Sequence, residues 1–468
     1  MEKTQVVIFG ATGDLAKHKL FPALFEIFKK NKLVDVLGIG RKEFTNESFI
    51  NTLQIPPSEE WNTFSKQITY IQGNFTEKSL YEKIMKNLSS QNILYYLAVE
   101  PSNFPIIINF LYDTKLNFLT SRIIIEKPFG TDKTTATKLF QDVNRVFDDK
   151  QVFIIDHYLG KETIQNIFAF RFANSIFEQL WNKQYIDSIQ ICVSEAAGTA
   201  GRGGYYDKAG AIKDMLQSHL LQILAAICME PPDSFNPLDI SAVRTNLIFS
   251  LEHFQKYDDA LLKKRIVLGQ YEGYKQEDKV APDSFTETFI SLKTFIENER
   301  WKNVPIYLRT GKHLPLRTTE IYIIFKNAIQ NMLFPMQKHT NILAFRIQPN
   351  EGISLKLYLK EPGEKMQLKE VSMDFCYQDT FAVSDNAHIR LLEDAIQINK
   401  TLFTSINEII ASWEFVEPIE QYRNRNKLMV LPYAKETWGP TNSRLLLEND
   451  NRHWQSLYPY KCDINILI

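Results

Sequence analysis

A strand, a glycine turn and a helix open the chain, and this unit most constrains its fold. Residues 5–9 (QVVIF) form a β-branched run that ends at Gly10, which is typical of a buried strand in a parallel sheet. Gly13 completes the turn, and residues 20–28 then repeat apolar side chains at helical spacing. Pro22 indicates that the regular helix starts near it or is kinked there. The layout predicts a dinucleotide phosphate site, the alternative being a tight turn without a ligand.

The residues after the second predicted strand bear on which dinucleotide would bind. Residues 36–39 are apolar, and Gly40, Arg41 and Lys42 follow. A site for NAD usually has an acidic residue here, which binds the ribose 2′-hydroxyl. A guanidinium instead suits a 2′-phosphate, because it binds phosphate through two charge-assisted hydrogen bonds. The spacing favours NADP, the alternative being two solvated surface cations.

Strand and helix patterns continue to alternate after these two strands. Strands are predicted at residues 68–72, 93–99, 122–125 and 152–155, and helices at residues 80–88, 105–111 and 136–147. This alternation predicts a doubly wound α/β sheet that runs to about residue 175.

Composition and charge exclude several other classes of protein. The 468 residues include 54 Lys and Arg against 55 Asp and Glu, a net charge of −1, which argues against a dedicated nucleic-acid binder. No apolar run reaches the length of a membrane helix, and the first twenty residues lack the pattern of a signal peptide. The four cysteines (Cys192, Cys228, Cys376 and Cys462) are far apart in sequence. They predict neither a zinc site nor a disulfide framework, and they fit a reducing cytoplasm.

Charged residues directly follow two of the predicted strands. Lys127 comes shortly after residues 122–125, and Asp156 follows residues 152–155. Open α/β sheets bind ligands at this edge, and a charge after a buried strand needs a partner or a ligand. The alternatives are an ion pair for Lys127 and a helix N-cap for Asp156.

Two further polar clusters follow the predicted sheet. Residues 195–210 contain five glycines and predict a shaped or disordered loop. A helix predicted to begin near Ala211 carries Asp214 and His219, although a helical histidine beside apolar neighbours is more often structural. Three cations follow the strand-like residues 304–308, the alternative there being a solvated basic turn.

Several sequence blocks occur together in the order of one family. They are GATGDLAKHKLFPAL, EKPFG, DHYLGKE, RGGYYDKAGAIKDMLQSHLLQ and RTGKHL, with NILAFRIQPNEGISLKLYLKEPG and SWEFVEPI beyond them. The chain therefore resembles the glucose-6-phosphate dehydrogenase family over essentially its whole length. The resemblance implies an NADP-binding Rossmann domain over residues 1–175. It also implies a β+α domain with a large antiparallel sheet, for substrate binding and oligomerisation, over residues 176–468.

The resemblance also implies an activity. Members of this family oxidise β-D-glucose 6-phosphate at C1 with NADP⁺, giving 6-phosphogluconolactone and NADPH, the first step of the oxidative pentose phosphate pathway. The expected protein is a cytoplasmic homodimer or homotetramer that associates through the C-terminal sheet. The alternatives are another sugar oxidoreductase with a Rossmann domain and an E-K-P segment, and a sensor that binds the same ligands without turnover.

Family positions assign roles to individual residues. His219 matches the general base, and Asp156 matches the carboxylate that orients it. Residues matching the cofactor site are Gly10, Thr12, Gly13, Asp14, Leu15, Arg41, Lys127 and Pro128. Residues matching the substrate site are Lys127, His157, Tyr158, Lys161, Glu195, Asp214, Lys312 and Arg317. The chain departs from the family pattern at Glu100, where an uncharged residue is usual, and at His388, where tyrosine is usual. No metal is implied.

Overall fold

The computed structural model describes residues 3–31, 33–156, 158–327, 340–365, 367–380 and 387–456. The chain divides into two compact units, and neither is continuous in sequence. The first comprises Met1–Gly160, Pro232–Ala242 and Ser384–Ile410, and the second comprises Lys161–Pro231, Val243–Val383 and Ala411–Ile468. The domain boundary near residue 175 stays a prediction.

In the part of the first unit that the structure describes, six parallel strands form the sheet. They are β1 (Thr4–Phe9), β2 (Val34–Gly40), β3 (Ile68–Gln72), β4 (Ile93–Leu97), β5 (Arg122–Ile125) and β6 (Val152–Ile154). Their order is β3-β2-β1-β4-β5-β6, so the winding reverses between β1 and β4. β1, β2, β4 and β5 are buried along their whole length, as expected of a parallel sheet covered on both faces. The predicted Rossmann-type sheet is confirmed.

Helices connect these strands. They are Phe21–Asn31, Asn46–Asn51, Glu59–Phe64, Lys78–Lys86, Phe104–Asp113 and Lys133–Asn144. The last of them begins three residues before its predicted start of residue 136 because Asp132 caps it. The Asp132 side chain accepts a hydrogen bond from the backbone N–H of Thr135, which satisfies one of the unpaired N–H groups of the first turn.

The helix after the glycine turn begins irregularly. Residues Ala16–Leu20 form a π-helical segment, and the α-helix Phe21–Asn31 follows it. Pro22 has no N–H to donate to the carbonyl four residues earlier, so the regular hydrogen-bond ladder is interrupted at this point. The prediction that the regular helix starts near Pro22 is confirmed.

A helix from far along the chain completes the core of the first unit. In the helix Ala387–Ile396, Leu391 and Leu392 are buried in the same apolar cluster as Ala16 and Leu20. Burying each of these leucines stabilises the fold by about 1.5–3 kcal/mol. The start of the helix after the glycine turn is therefore supported by residues from the C-terminal part of the chain.

Within the described residues, nine strands form the sheet of the second unit. They are β7 (Ile186–Ser194), β8 (Ile266–Tyr271), β9 (Phe289–Thr294), β10 (Ile306–Gly311), β11 (Thr318–Phe325), β12 (Ile342–Gln348), β13 (Gly352–Lys360), β14 (Leu368–Cys376) and β15 (Val430–Tyr433). Their order is β14-β13-β12-β11-β7-β10-β9-β8-β15. The pairs β7–β10 and β8–β15 are parallel, and the other pairs are antiparallel. The predicted large antiparallel sheet is confirmed, with two parallel pairings within it.

The remaining helices carry much of the second unit. They are Glu162–Phe172, Ser175–Glu178, Gly203–Ala211, Leu221–Cys228, Asp259–Lys263, Tyr377–Thr380 and Asn442–Glu448, and the π-helix Ile212–Leu220. Two more helices, Pro237–Phe249 and Ile406–Arg425, contain residues of both units.

The cysteines differ in their state. Cys192 and Cys228 are free and buried. Cys376 is disulfide-bonded. Cys462 lies outside the described residues. The prediction that the cysteines form no disulfide framework is therefore wrong for Cys376, because separation along the sequence does not set the distance between two residues in the fold.

The described part of the chain lacks two kinds of feature. None of its helices is long and apolar enough to cross a membrane. Within the same residues, no three His, Cys, Asp or Glu side chains are grouped so that they could hold a metal ion.

Candidate active site

The glycine turn after β1 has a shape that only glycine permits. Gly10 has φ 86°, and a Cβ there would lie 2.2 Å from the carbonyl oxygen of Ala98. Helical structure begins at Asp14, directly after the exposed Gly13. The first N–H groups of a helix have no acceptor within it, and the helix dipole favours negative charge there. The carboxyl end of β1 thus presents a potential anion site.

Arg41 lies at the same edge of the sheet. Its neighbour Gly40 ends β2 and packs so closely on the turn that a Cβ would lie 3.0 Å from Cγ2 of Thr12. Arg41 and Lys42 are both exposed. Leu15, by contrast, packs against the apolar core and fixes the start of the helix. The structure thus places Arg41 directly after a residue that packs on the turn, and its role in cofactor binding stays a prediction.

Lys127 and Asp156 form a buried ion pair at the ends of the adjacent strands β5 and β6. Lys127 Nζ lies 2.9 Å from Asp156 Oδ2, and the two side chains are 9% and 0% exposed. Asp156 Oδ1 also accepts a hydrogen bond of 2.9 Å from the backbone N–H of Tyr158, whose side chain is buried. The Lys127–Pro128 peptide is cis. The ion pair that was the alternative interpretation of Lys127 is therefore present. Removing either partner would leave a buried charge, at a cost of about 3–5 kcal/mol in the stability of the fold.

Glu100 and His388, at which the chain departs from the family pattern, also lie in the first unit. His388 lies near Glu126, a carboxylate that Tyr96 also contacts. Tyr96 donates a hydrogen bond to Glu126. Burial, and then the charge of Glu126, raise the pKa of the Tyr96 hydroxyl well above its usual range. His388 Nε2 lies 3.8 Å from the same carboxylate. Glu100 is exposed after β4. His388 is thus placed beside the residue that precedes Lys127.

Asp214 and His219 share a π-helix, Ile212–Leu220. In a π-helix each N–H bonds to the carbonyl five residues earlier, so these two residues are one turn apart. Burial agrees with this register, because both side chains are half-buried whereas residues 215–218 are buried. The predicted helix start near residue 211 is correct for this helix. The helix Gly203–Ala211 before it was unexpected, because its glycines indicated a loop.

Glu287 anchors the start of this π-helix. Its Oε1 accepts a hydrogen bond of 3.0 Å from the backbone N–H of Ile212, and its Oε2 lies 2.6 Å from a guanidinium nitrogen of Arg423. Glu287 is fully buried. Gly210, with φ 64°, approaches so closely that a Cβ would lie 2.2 Å from Glu287 Oε1. The helix that carries Asp214 and His219 is therefore tied to the segment before β9.

Glu195 and Lys312 form a second pair, at the carboxyl ends of two inner strands of the large sheet. They follow the parallel neighbours β7 and β10, and Lys312 Nζ lies 2.6 Å from Glu195 Oε2. Lys312 is only 4% exposed, so this part of the chain is not a solvated basic turn. Arg317 is exposed.

Asp214, on the π-helix, accepts a hydrogen bond of 3.3 Å from the hydroxyl of Tyr205.

The predicted phosphate-binding residues are only partly described. Lys161 is half-buried, and its Nζ donates a hydrogen bond of 2.8 Å to Gln348 Oε1. His157 lies outside the described residues. Sequence reasoning did not single out Gln348 or Tyr205, although both stand within the motif blocks. It also missed Glu287, for which the sequence carries no signal beyond an acidic residue between two threonines.

The predicted site residues thus fall into two groups, one in each unit. The first unit holds Gly10, Thr12, Gly13, Asp14, Leu15, Arg41, Lys127, Pro128, Asp156 and Tyr158, and the second holds Lys161, Glu195, Asp214, His219, Lys312 and Arg317. Their roles in binding and catalysis stay predictions.

Comparison with known proteins identifies the family. Residues 7–166 match the domain described as "Glucose-6-phosphate dehydrogenase, NAD binding domain", and residues 168–455 match "Glucose-6-phosphate dehydrogenase, C-terminal domain".

Named relatives and solved structures agree with this match. Glucose-6-phosphate 1-dehydrogenase of Borreliella burgdorferi is 40% identical over 97% of this chain and 98% of its own length. The enzyme of Aggregatibacter actinomycetemcomitans is 39% identical over 97% of both chains. The structure of the Mycobacterium avium enzyme superposes with a TM-score of 0.87 at 30% identity, covering 97% of this chain and 98% of that one. A glucose-6-phosphate dehydrogenase in complex with its substrate glucose 6-phosphate gives 0.88 at 31%, covering 97% and 99%. The resemblance seen in the sequence is confirmed: the chain belongs to the glucose-6-phosphate dehydrogenase family.

Proposed function

We propose that this chain oxidises β-D-glucose 6-phosphate at C1 with NADP⁺, giving 6-phospho-D-glucono-1,5-lactone and NADPH. This reaction is the first step of the oxidative pentose phosphate pathway. The observation that carries the proposal is family membership across both domains, with the charged pairs Lys127–Asp156 and Glu195–Lys312 assembled at strand ends. Sugar hydroxyls donate to carboxylates and accept from ammonium groups, so such pairs suit a polar sugar.

The residues at the end of β1 fit a dinucleotide. Gly10 allows the tight turn, and the helix start at Asp14 offers unpaired N–H groups to a pyrophosphate. Arg41 is exposed beside this turn, where a 2′-phosphate would need a cation. Lys127 and Pro128 would lie toward the nicotinamide, by their match to the family. NADP⁺, when bound, supplies the acceptor for the hydride from C1.

The chain's own residues supply the proton chemistry. We assign His219 as the base that accepts the proton of the C1 hydroxyl, and Asp156 as the carboxylate that stabilises the protonated imidazole. Glu195, Asp214 and Lys312 bind sugar hydroxyls. The substrate phosphate, a dianion, is assigned to a separate set of groups: His157, Tyr158, Lys161 and Arg317.

An absorbance assay tests this function. Purified protein is mixed with NADP⁺ and glucose 6-phosphate, glucose or another hexose 6-phosphate, and NADPH formation is followed. We expect turnover of glucose 6-phosphate only. Glucose, which lacks the 6-phosphate, and the other hexose 6-phosphates should not be oxidised. Turnover of unphosphorylated sugars alone would indicate a different sugar oxidoreductase. Binding of both ligands without turnover would indicate a sensor, and either result would reject the proposal.

Arg41 should determine the preference between NADP and NAD. The Arg41→Ala variant is expected to lose about 10–100-fold in kcat/KM for NADP⁺, because hydrogen bonds to a charged group contribute about 1.5–3 kcal/mol. The value for NAD⁺ should change less than about threefold, because NAD lacks the 2′-phosphate. Steady-state kinetics with both coenzymes measure the ratio. Equal losses for the two coenzymes would refute the assignment.

We also propose that the chain forms a homodimer or homotetramer through its C-terminal sheet. On β13 and β14, Leu355 pairs with Met373 and Ile353 pairs with Phe375, on one face of the sheet. Met373 is 64% exposed, and Leu359 on the same face of β13 is 57% exposed. Exposed apolar faces of this kind commonly mark interfaces.

Sedimentation velocity tests the interface. The wild-type chain should sediment as a dimer or larger, and Met373→Glu should shift the equilibrium toward monomer because it places a charge in the apolar face. Glu370→Lys, at an exposed polar position on the opposite face of the same strand, is the control. A wild-type monomer would reject the proposal.

A cytoplasmic location is proposed on the basis of the two free cysteines, Cys192 and Cys228. The disulfide at Cys376 is unusual for a reducing compartment. Fractionation of cells that express the chain, with activity followed in each fraction, tests the location. Activity confined to an extracytoplasmic fraction would reject it.

A further inference from the structure

Tyr206 lies against Lys312, the lysine of the Glu195–Lys312 pair. Its side chain is 2% exposed, in the helix Gly203–Ala211. Lys312 Nζ stands 4.7 Å from the centre of its ring, within the range of a cation–π contact. The ring therefore forms part of the surface that holds Lys312 in place.

The hydroxyl of Tyr206 has no hydrogen-bond partner within the described residues. Three neighbouring tyrosines of the same apolar cluster are paired. The hydroxyl of Tyr271 donates to Glu277 at 2.8 Å, that of Tyr274 to Asp207 at 3.0 Å, and that of Tyr433 to the carbonyl of Lys312 at 2.7 Å. Since buried polar groups are almost always paired, an unpaired hydroxyl in otherwise paired surroundings indicates a partner that arrives with a ligand.

The surroundings of this hydroxyl are those of the proposed sugar site. Burial first, and then the negative charges of Asp214 and Glu195, raise the pKa of Tyr206 well above its usual range. The phenol therefore stays protonated at neutral pH and can donate a hydrogen bond. Both carboxylates can only accept hydrogen bonds when ionised. A sugar hydroxyl can donate to a carboxylate and accept from the phenol at the same time.

We infer that the Tyr206 hydroxyl is a further substrate-binding group, which donates a hydrogen bond to a sugar hydroxyl of the hexose phosphate. The inference rests on the proposed function, since it takes the Glu195–Lys312 pair as the sugar site. Tyr206 would act in two ways. Its ring holds Lys312, and its hydroxyl contributes to selection for a hydroxylated substrate, because a site left with an unpaired polar group rejects analogues that lack the partner.

Two phenylalanine variants separate binding from stability. Tyr206→Phe removes only the unpaired oxygen, so we expect KM for glucose 6-phosphate to rise about tenfold with no fall in Tm. Tyr274→Phe, the matched control, removes a hydroxyl that is already paired with Asp207. It should lower Tm and leave KM unchanged. An unchanged KM in Tyr206→Phe, or a fall in Tm without a change in KM, would overturn the inference.

Calorimetry keeps this test independent of turnover. The Kd of glucose 6-phosphate is measured for the wild type and Tyr206→Phe without coenzyme. A higher Kd in the variant supports the inference, even if the wild type proves catalytically inactive. Inactivity of the wild type would reject the proposed function but not this inference. Deoxy analogues then identify the contact. The difference between the two proteins should disappear for the analogue that lacks the contacted hydroxyl. A difference that persists with every analogue would overturn the inference.

Discussion

Replacing His219 by asparagine should lower kcat by about 10²–10⁴-fold, because general base catalysis contributes an effect of this size. Asparagine keeps a polar side chain of similar reach but does not accept a proton at neutral pH. His219 is half-buried on the π-helix that also carries Asp214, so the substitution fills a position already partly open to solvent. We therefore expect the Kd of glucose 6-phosphate to change less than about threefold.

Two measurements make this prediction specific. Steady-state kinetics give kcat, and calorimetry gives the Kd of the sugar phosphate. His253→Asn is the matched control, because His253 is an exposed histidine of the same unit. The control should keep the wild-type kcat. A normal kcat in His219→Asn would rule out His219 as the base.

The sheet of the first unit was predictable from local patterns. Strands predicted at residues 68–72 and 122–125 coincide with β3 and β5. Buried parallel strands are continuous apolar runs, and such runs are visible without knowledge of distant residues. The contribution of Leu391 and Leu392 to this unit was not predictable, because an amphipathic helix shows which face is apolar but not what covers it.

The candidate site was predictable in residue type but not in arrangement. The sequence placed Lys127 and Asp156 at strand ends, and the parallel pairing of β5 with β6 explains why they meet. The π register of Ile212–Leu220 was not visible, because apolar spacing does not distinguish five-residue from four-residue hydrogen bonding over two turns. The pairing of Glu195 with Lys312 depends on a parallel contact within a mostly antiparallel sheet, which no local pattern encodes.

Replacing Glu287 should have the second large effect. Because this buried carboxylate anchors the π-helix, its loss should lower both the stability of the fold and kcat. Glu287→Ala removes the nearer carboxylate of the Arg423 guanidinium, which is 16% exposed, and leaves it only Glu420 at 3.6 Å. It also leaves the Ile212 N–H without its acceptor. Breaking a buried ion pair in this way costs about 3–5 kcal/mol. We expect Tm to fall by roughly 5 °C, as measured by calorimetry. We also expect kcat to fall by about tenfold or more, because the helix start positions Asp214 and His219.

Two companion variants separate the parts of this effect. Glu448→Gln breaks an exposed pair with Arg444, at 2.9 Å and four residues apart, and should change stability by less than about 0.5 kcal/mol. The double variant Glu287→Met/Arg423→Met removes both buried charges, so it should recover much of the lost Tm. It still lacks an acceptor for the Ile212 N–H, so kcat should stay low. If Glu287→Ala kept the wild-type Tm and kcat, the buried pair would not anchor the helix.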